Sequence, residues 1–512
     1  MKINSNHCSL AFDNDIKYVK SWFNTKVFAT CGSESSDILE RLTQKVVSLG
    51  LPEYAKTTKK LNELNGDESL PKNTLINIGV ASLEVGTGRV HVNAKQCVEN
   101  IFCFITHWLY CLLATLSIYK KSPNHKSVTL VYGVGEEAIF NNDSDENFLE
   151  YLKNGPIDIF HNDVHLFVES SSDLQSTDVI NVTYCKRPVI TFLKCANLGF
   201  INRVLLLLNH IRLFAYYFSA IIRFPQLSLL SRELAYSSVF SMLDRKGLMT
   251  SVIQTCSNYT EQALWMRGLK HTKTHMVWYA QAWKSITYKS DRLESTLPNL
   301  RWIRVGTHWV WTSSFADYLK SLGLGNDFRV VGPIVWQLPE LTSPELDRLK
   351  ICVFDASPFS DEIALRNGQI TNYHHPSNLF SFVNGILSLK NNLQLCFKQP
   401  ISLSFKTKRG HKKQYDKEYF DYLDTLNSNE TIDLVNYQAN LYYLISGCHL
   451  VIAYPYTSVA YIAEALNIPC VYYDPVNLIC DHNFGDNGAK IYLAGDEDSL
   501  NSIVMELLKN YV

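Results

Sequence analysis

One stretch near the C-terminal end, Leu450–Pro475 (LVIAYPYTSVAYIAEALNIPCVYYDP), decides the fold. Its apolar start, Leu450–Ala453, predicts a buried strand, and Pro455 ends that strand because proline cannot donate a hydrogen bond to a neighbouring strand. The small apolar residues of Ser458–Leu466 predict a helix that packs closely on a sheet, and Cys470–Tyr473 predicts the next strand. A strand, a turn, a helix and a strand in this order indicate a parallel α/β sheet.

The turn Tyr454–Ser458, between this strand and this helix, predicts a phosphate-binding site. Thr457 or Ser458 is expected to cap the helix, and the amides of the first helical turn favour an anion. Ligands of open α/β sheets bind beyond the carboxyl ends of the strands, where this turn lies. Glu464, the one charge on the helix, is expected either to accept hydrogen bonds from a ribose or sugar hydroxyl or to face solvent. An ordinary capped helix without a ligand is the alternative.

Strands separated by helices occur in two series along the 512 residues. The first series runs from Ser127–Tyr132 to Phe328–Val331, and the polar segment Gln337–Leu349, which contains two prolines, separates it from the second. The expected fold is therefore α/β, with two Rossmann-like doubly wound domains at 1–336 and 350–512 that face a cleft.

A basic loop at Lys406–Arg409 is the second candidate site of the C-terminal series. A helix capped by Ser377 is predicted over Ser377–Leu389, and a strand is predicted at Leu393–Phe397, ahead of this loop. The loop's cations suit a phosphate and a carboxylate, although a solvated charge run is the alternative. The residues of this region that we expect to bind a nucleotide are Asp355, Ser357, His374, His375, Lys406, Lys408 and Arg409.

The segment Ser446–Pro475 closely resembles the signature of the polysaccharide-biosynthesis PFTS-motif proteins. The Pro-Phe-Thr-Ser core of that family is matched by Pro455–Ser458, with Tyr456 in place of Phe, and the shorter motifs VWT, VGPI and VFD of this chain are similar too. The resemblance implies a GT-B glycosyltransferase of capsule or lipopolysaccharide biosynthesis. It also implies that Tyr456, Thr457 and Ser458 bind the donor.

The same arrangement is distantly similar to bacterial sialyltransferases and Kdo transferases, which use CMP-activated sugars. This similarity implies a CMP-activated nonulosonic acid, of pseudaminic or sialic type, as the donor. A GT-B transferase that uses a UDP- or GDP-sugar is one alternative, and a non-catalytic subunit of polysaccharide assembly is another.

The catalytic group is expected in the first series, because glycosyl transfer needs a base or a stabilising carboxylate. Glu136 and Glu137 follow a strand and a glycine-containing turn, and they are the catalytic candidates, although they also fit the acidic first turn of a helix. The candidates that line the acceptor side of the cleft are Ser257, Asn258, Tyr279 and Gln281. No cofactor and no metal are predicted, because no Asp-x-Asp pair follows a strand as a metal-dependent transferase requires.

Composition limits the partners and the compartment. A net charge of −1 excludes a nucleic-acid binder held by a broad basic surface, and 13 scattered cysteines with no signal-peptide pattern predict the cytoplasm. Two apolar segments, 101–119 and 203–223, are expected to be buried helices, helices attached to the inner face of the cytoplasmic membrane, or spans. The expected partners are a nucleotide sugar, a saccharide or lipid-linked saccharide acceptor, and that membrane surface.

Overall fold

Two parallel β-sheets, one in each half of the chain, organise the protein. This computed structural model describes residues 37–38, 40–46, 49, 53, 56, 74–77, 81–84, 89–117, 127–132, 164–169, 182–185, 190, 193, 198–255, 262–278, 280–281, 286–289, 293–294, 300, 303–325, 327–334, 348–366, 371–398, 400–410, 415–437, 439–480 and 491–509.

The strands of the first half belong to three sheets. They are β1 Leu75–Asn77, β2 Ala81–Glu84, β3 Arg89–Val92, β4 Ser127–Tyr132, β5 Val164–Glu169, β6 Val182–Cys185, β7 Ser251–Thr255, β8 Lys273–Val277, β9 Ile286–Thr287, β10 Leu293–Glu294, β11 Thr307–Val310 and β12 Phe328–Val330. Strands β1 to β3 form an antiparallel sheet, and β9 pairs with β10. The other seven are parallel neighbours in the order β12-β11-β8-β7-β4-β5-β6.

The second half contains one six-stranded parallel sheet. Its strands are β13 Leu349–Phe354, β14 Ile401–Lys406, β15 Asp433–Val435, β16 Leu450–Ala453, β17 Cys470–Tyr473 and β18 Ile491–Ala494. They lie in the order β15-β14-β13-β16-β17-β18. Most residues of β13, and all of β16 and β17, are buried, as expected of strands covered by helices on both faces.

Helices cover both sheets. They are α1 Ala94–Leu116, α2 Phe200–Arg223, α3 Ser231–Arg245, α4 Leu264–Arg267, α5 Ser313–Ser321, α6 Asp361–Arg366, α7 Pro376–Cys396, α8 Lys417–Ser428, α9 Leu441–Ser446, α10 Val459–Ala465 and α11 Glu497–Leu508, with a 3₁₀-helix at Pro225–Leu230. The expected pair of doubly wound α/β sheets, with extra apolar helices in the N-terminal half, is confirmed by this arrangement. The domain limits at 336 and 350 stay a prediction.

The predicted strand at Leu393–Phe397 is wrong. Helix α7 continues to Cys396, because Leu389 and Leu393 are four residues apart and both are buried on the helix face that packs on the sheet. The strand is instead β14, whose residues alternate between apolar and polar side chains, and it ends at Lys406. Lys406 therefore belongs to the carboxyl end of a strand and not to a loop.

The two apolar helices of the first half, α1 and α2, are long and apolar enough to cross a membrane by length and composition. Only 17% of the most apolar window of α1 and 22% of that of α2 are buried. Neither helix is therefore the buried core helix that was one interpretation of the sequence.

Close packing between α7 and β17 generates a prediction about stability. A Cβ atom on Gly385 would lie 2.6 Å from Cε1 of the buried Tyr473. Gly385→Ala gains about 1 kcal/mol of helix propensity but forces the ring to move, so we expect a net loss of roughly 1–2 kcal/mol in the free energy of unfolding. Urea denaturation measures it. Ser381→Ala, on the exposed face of α7, is the control and should not destabilise the protein.

Candidate functional site

The strand order of the second sheet reverses between β13 and β16. Ligands of doubly wound sheets bind beyond the carboxyl ends of the two strands at such a point. Here the residues that follow those strands are Asp355 and Tyr454, and both are buried. Strand β14, the other neighbour of β13, ends at Lys406. Candidates from three separate segments therefore meet at one edge of the sheet.

The carboxyl group of Asp355 ties the basic loop to the end of β13. Its Oδ1 accepts a hydrogen bond from the backbone N–H of Lys408 at 2.7 Å, and its Oδ2 accepts one from the hydroxyl of Tyr419 at 2.9 Å. Burial raises the pKa of Asp355 to about 7, against the hydrogen bonds and the nearby Lys406 charge, which lower it. The Asp355 carboxyl group therefore ionises near neutral pH.

Lys406 at the end of β14 and the two cations of the basic loop have different surroundings. Lys406 is buried, its Nζ donates to the carbonyl oxygen of Tyr437 at 2.5 Å, and burial lowers its pKa to about 8. Lys408 and Arg409 are exposed to solvent, although desolvation by the surrounding protein, and then the charge of Arg409, lower the pKa of Lys408 to about 8 as well. Gly410 follows them, where a Cβ would lie 2.7 Å from the ring of Tyr437, so the loop fits only because this residue has no side chain. Lys408 and Arg409 thus offer positive charge at the edge, while Lys406 supports the loop.

The adjacent residues His374 and His375 make different contacts. The His374 ring packs edge-on against that of Tyr454, with centroids 5.7 Å apart, and burial lowers its pKa to about 3, so it is neutral at physiological pH. Within the described part of the chain, its Nδ1 is buried and has no hydrogen-bond partner. His375 is instead the cap of α7, because its Nδ1 accepts from the backbone N–H of Ser377, and the expected Ser377 cap is wrong. Ser357 is buried two residues after Asp355.

The hydroxyls of the Pro455–Ser458 turn make bonds within the protein. Thr457 Oγ1 donates to the carbonyl oxygen of Tyr454 at 2.9 Å, and the Thr457 carbonyl accepts from the hydroxyl of Tyr472 at 2.6 Å. Ser458 stands at the N-cap of α10 without a side-chain capping bond, so the expected cap by Thr457 or Ser458 is wrong. These bonds hold Tyr456 at φ 60°, in the left-handed region that non-glycine residues rarely adopt.

The same turn contacts the first half of the chain. The hydroxyl of Tyr456 accepts from the backbone N–H of Thr287 at 3.0 Å, and Ser458 Oγ accepts from the backbone N–H of Gln281 at 3.0 Å. The side-chain amide of Gln281 donates in turn to Thr312 Oγ1 at 2.6 Å, and Thr312 caps α5. Because Gln281 and Thr312 follow β8 and β11, the carboxyl edges of the two sheets face each other.

A second loop completes this connection. Asp474, at the end of β17, accepts from the backbone N–H of Ile479 at 2.7 Å and so shapes the loop. That loop pairs with the first half through the Tyr288–Ile479 bridge, and its Leu478 and Cys480 bond the backbone of residues 287–289. We call the contacts of Tyr456, Ser458 and residues 478–480 with Gln281 and residues 287–289 the interdomain clasp.

Of the remaining candidates from the sequence, five lie outside the described residues and one lies at the opposite edge of the second sheet. Glu136, Glu137, Ser257, Asn258 and Tyr279 lie outside the described residues, although the first two follow β4 and the next two follow β7, the strands between which the first sheet reverses its order. Glu464 lies in the last turn of α10, and its charge acts on Cys470 at the amino end of β17, the opposite edge of the sheet.

Three residues that bond members of this edge or of the clasp were not among the candidates predicted from the sequence. Thr312 had a local signal, since a Thr between a strand and a helical pattern is a typical N-cap. Tyr419 and Tyr437 had none, because they reach the edge from distant segments.

The raised pKa of Asp355 predicts how stability changes with pH. Unfolded Asp355 loses its proton near its ordinary pKa of 3.8, whereas the folded protein keeps it until about pH 7. Between these values the unfolded state binds fewer protons, so stability falls as pH rises. Relative to Asp355→Asn, which keeps the shape, the native protein should lose up to roughly 4 kcal/mol between pH 4 and 8. Equal slopes of unfolding free energy against pH would contradict this.

The clasp predicts a local effect of Tyr456→Phe. Loss of the hydroxyl leaves the Thr287 amide without its acceptor, at a cost of about 1 kcal/mol. We expect faster hydrogen exchange at residues 286–289, measured by mass spectrometry. Tyr422→Phe, which removes a hydroxyl bond to Asn384 inside the second half, is the control and should leave that exchange unchanged.

Solved structures with similar folds include the wall teichoic acid polymerase TagF (10% identity, TM-score 0.39, covering 81% of this chain and 90% of that one). Sucrose-phosphate synthase from Thermosynechococcus elongatus is similar at 10% identity and TM-score 0.37, over 75% of this chain and 90% of that one. TarM is similar at 10% identity and TM-score 0.30, over 54% of this chain, which spans only 51% of TarM. At these TM-scores the similarity carries no argument about activity.

No curated protein sequence matches the chain significantly. The similarity to sialyltransferases and Kdo transferases therefore stays a prediction. A family model described as "Polysaccharide biosynthesis PFTS motif protein" matches residues 216–504, which is more than half of the chain and includes the clasp and the whole cationic edge. The chain therefore belongs to the polysaccharide biosynthesis PFTS motif proteins.

Proposed function

We propose that the protein is a glycosyltransferase of bacterial surface-polysaccharide biosynthesis, which binds a nucleotide sugar at the carboxyl edge of the second sheet. The observation that supports it most is the pair of exposed cations, Lys408 and Arg409, held at the point where the strand order reverses. Such a point is the usual ligand site of a doubly wound sheet, and Lys and Arg bind phosphate well. Membership of a polysaccharide biosynthesis family supplies the sugar chemistry.

The electrostatics of the edge favour an anion. The charge of Asp355 acts on Lys406 and Lys408, but burial raises the pKa of Asp355 to about 7, so near neutral pH this carboxyl group cancels only part of their charge. The neutral His374 ring beside Tyr454 adds a hydrogen-bonding group that repels neither a phosphate nor a base. An anionic ligand at this edge would lie close to both.

The donor that we propose is a CMP-activated nonulosonic acid, transferred to a saccharide or lipid-linked saccharide. Such a donor carries one phosphate and one carboxylate, which two separate cations suit. A UDP- or GDP-sugar carries a diphosphate and is the alternative. Glu136 and Glu137 are proposed as the catalytic carboxylates from their place in the sequence, after β4. No cofactor and no metal ion are part of the proposal.

Nucleotide titration tests the proposal. We expect CMP to raise the melting temperature more than UDP or GDP does, because the proposed donor contains CMP and this nucleotide should have the lowest Kd. A ligand at 100 times its Kd adds about 2.7 kcal/mol to the free energy of unfolding. Lys408→Ala with Arg409→Ala should weaken CMP binding roughly 100-fold, because each charge-assisted hydrogen bond contributes about 1.5–3 kcal/mol. Isothermal calorimetry measures the Kd.

The matched control is Lys509→Ala, which removes an exposed cation just after α11, at the end of that helix remote from the carboxyl edge of the sheet, and should leave the Kd unchanged. A larger shift with UDP or GDP would replace the CMP donor by the alternative one. No shift with any nucleotide would refute donor binding and favour a non-catalytic assembly subunit.

A further inference from the structure

Helices α1 and α2 pack as an antiparallel pair, although strands β4 to β6 lie between them in the chain, and we call this pair the hairpin. The rings of Phe104 and Tyr217 stack with centroids 3.6 Å apart, and Trp108 Nε1 donates to the carbonyl oxygen of His210 at 2.9 Å. At the end of the hairpin, the guanidinium of Arg203 donates to the Ser117 carbonyl oxygen at 2.6 Å. The end of α1 therefore lies beside the start of α2.

One face of the hairpin is fixed to the folded domain through α3. The buried His210 lies between the two neighbouring helices, with Nδ1 3.1 Å from Ser238 Oγ on α3 and Nε2 3.4 Å from Thr115 Oγ1 on α1. The hydroxyls of Tyr217 and Ser231 also form a hydrogen bond. Both helices therefore have one side packed on protein, and the opposite side is exposed.

The other face of the hairpin is apolar and exposed. Along α1 the exposed residues recur every three to four positions, which places them on one side of the helix. The six most exposed apolar side chains of the two helices are Phe102 (63%), Leu113 (59%), Phe200 (82%), Ile201 (73%), Ile211 (60%) and Ile222 (82%). A contiguous apolar surface of this kind, which we call the hairpin surface, marks a docking site for a partner or a membrane.

The charges of the hairpin are almost all positive. Helix α2 contains no acidic residue, and α1 contains only Glu99. Arg203 bonds backbone carbonyls, but Arg212 and Arg223 are exposed, and no salt bridge to either occurs among the described residues. Arginines beside an exposed apolar helix face are the pattern of helices that lie in the headgroup region of anionic bilayers.

We infer that the hairpin surface lies in the interface of a membrane that contains anionic phospholipid, with Arg212 and Arg223 among the headgroups. Apolar burial and headgroup attraction act together, which reversible peripheral binding requires. A protein partner of matching shape would need acidic groups to meet the arginines, and two long helices of high mean hydropathy favour lipid instead. The inference does not depend on the proposed donor site.

Vesicle flotation tests it with the full chain. Binding should be stronger on phosphatidylcholine vesicles that contain phosphatidylglycerol than on phosphatidylcholine alone. Leu113→Ser should weaken partitioning about tenfold, because the exposed part of the leucine side chain, roughly half of it, no longer contributes apolar contact with lipid. Arg212→Gln and Arg223→Gln should each weaken it roughly fivefold, on the anionic vesicles only.

The chain offers a matched control in Leu395→Ser. Leu395 is 87% exposed in the last turn of α7, as Leu113 is in the last turn of α1, but it lies in the second half. Equal vesicle binding by the two leucine variants, with both folded by circular dichroism, would overturn the inference. Retention on vesicles after an alkaline carbonate wash would show a spanning hairpin instead. Loss of a dimer in Leu113→Ser, without any vesicle binding by the native protein, would assign the surface to a second copy.

Discussion

The interdomain clasp is the interaction on which the arrangement of the two sheets depends. Two backbone amides of the first half, those of Gln281 and Thr287, donate to two hydroxyls of one four-residue turn in the second half. Hydrogen bonds constrain direction as well as distance, so these contacts set which edges of the sheets face each other. Holding Tyr456 in the left-handed region costs on the order of 1 kcal/mol, and its bond to Thr287 offsets that strain.

Two groups of opposite charge, Asp355 and Lys406, are buried together at the carboxyl edge of the second sheet. Burial raises the pKa of Asp355 and lowers that of Lys406, so the two values come close to each other and to neutral pH. Each group is favoured by the charge of the other, but desolvation is the larger effect on both. Lys408 and Arg409 are therefore the cations of this edge that a ligand can reach, because Asp355 and Lys406 are buried.

The sequence predicted local features well and long-range partners poorly. Strands β16 and β17 have the predicted limits, because uninterrupted apolar residues and Pro455 mark them. The strand at Leu393–Phe397 was misplaced because a short apolar run fits a helix end as well as a strand. The Asp355–Tyr419 and Thr287–Tyr456 bonds join residues 64 and 169 positions apart, and no local pattern encodes such pairs. The expected cap by Thr457 or Ser458 was wrong because Thr457 bonds back to the Tyr454 carbonyl and Ser458 accepts from Gln281 of the first half.

One consequence follows from the double position of the Pro455–Ser458 turn. The turn borders the ligand edge of one sheet and also carries the hydroxyls that reach the other half of the chain. If the edge binds a ligand as proposed, ligand binding and formation of the clasp contacts would be linked equilibria, and linkage is reciprocal: the free energy that the clasp adds to ligand affinity equals the free energy that the ligand adds to the clasp. A bound substrate would then also act as an effector of the contact between the two halves, and the Tyr456 hydroxyl is the group through which the two events would meet.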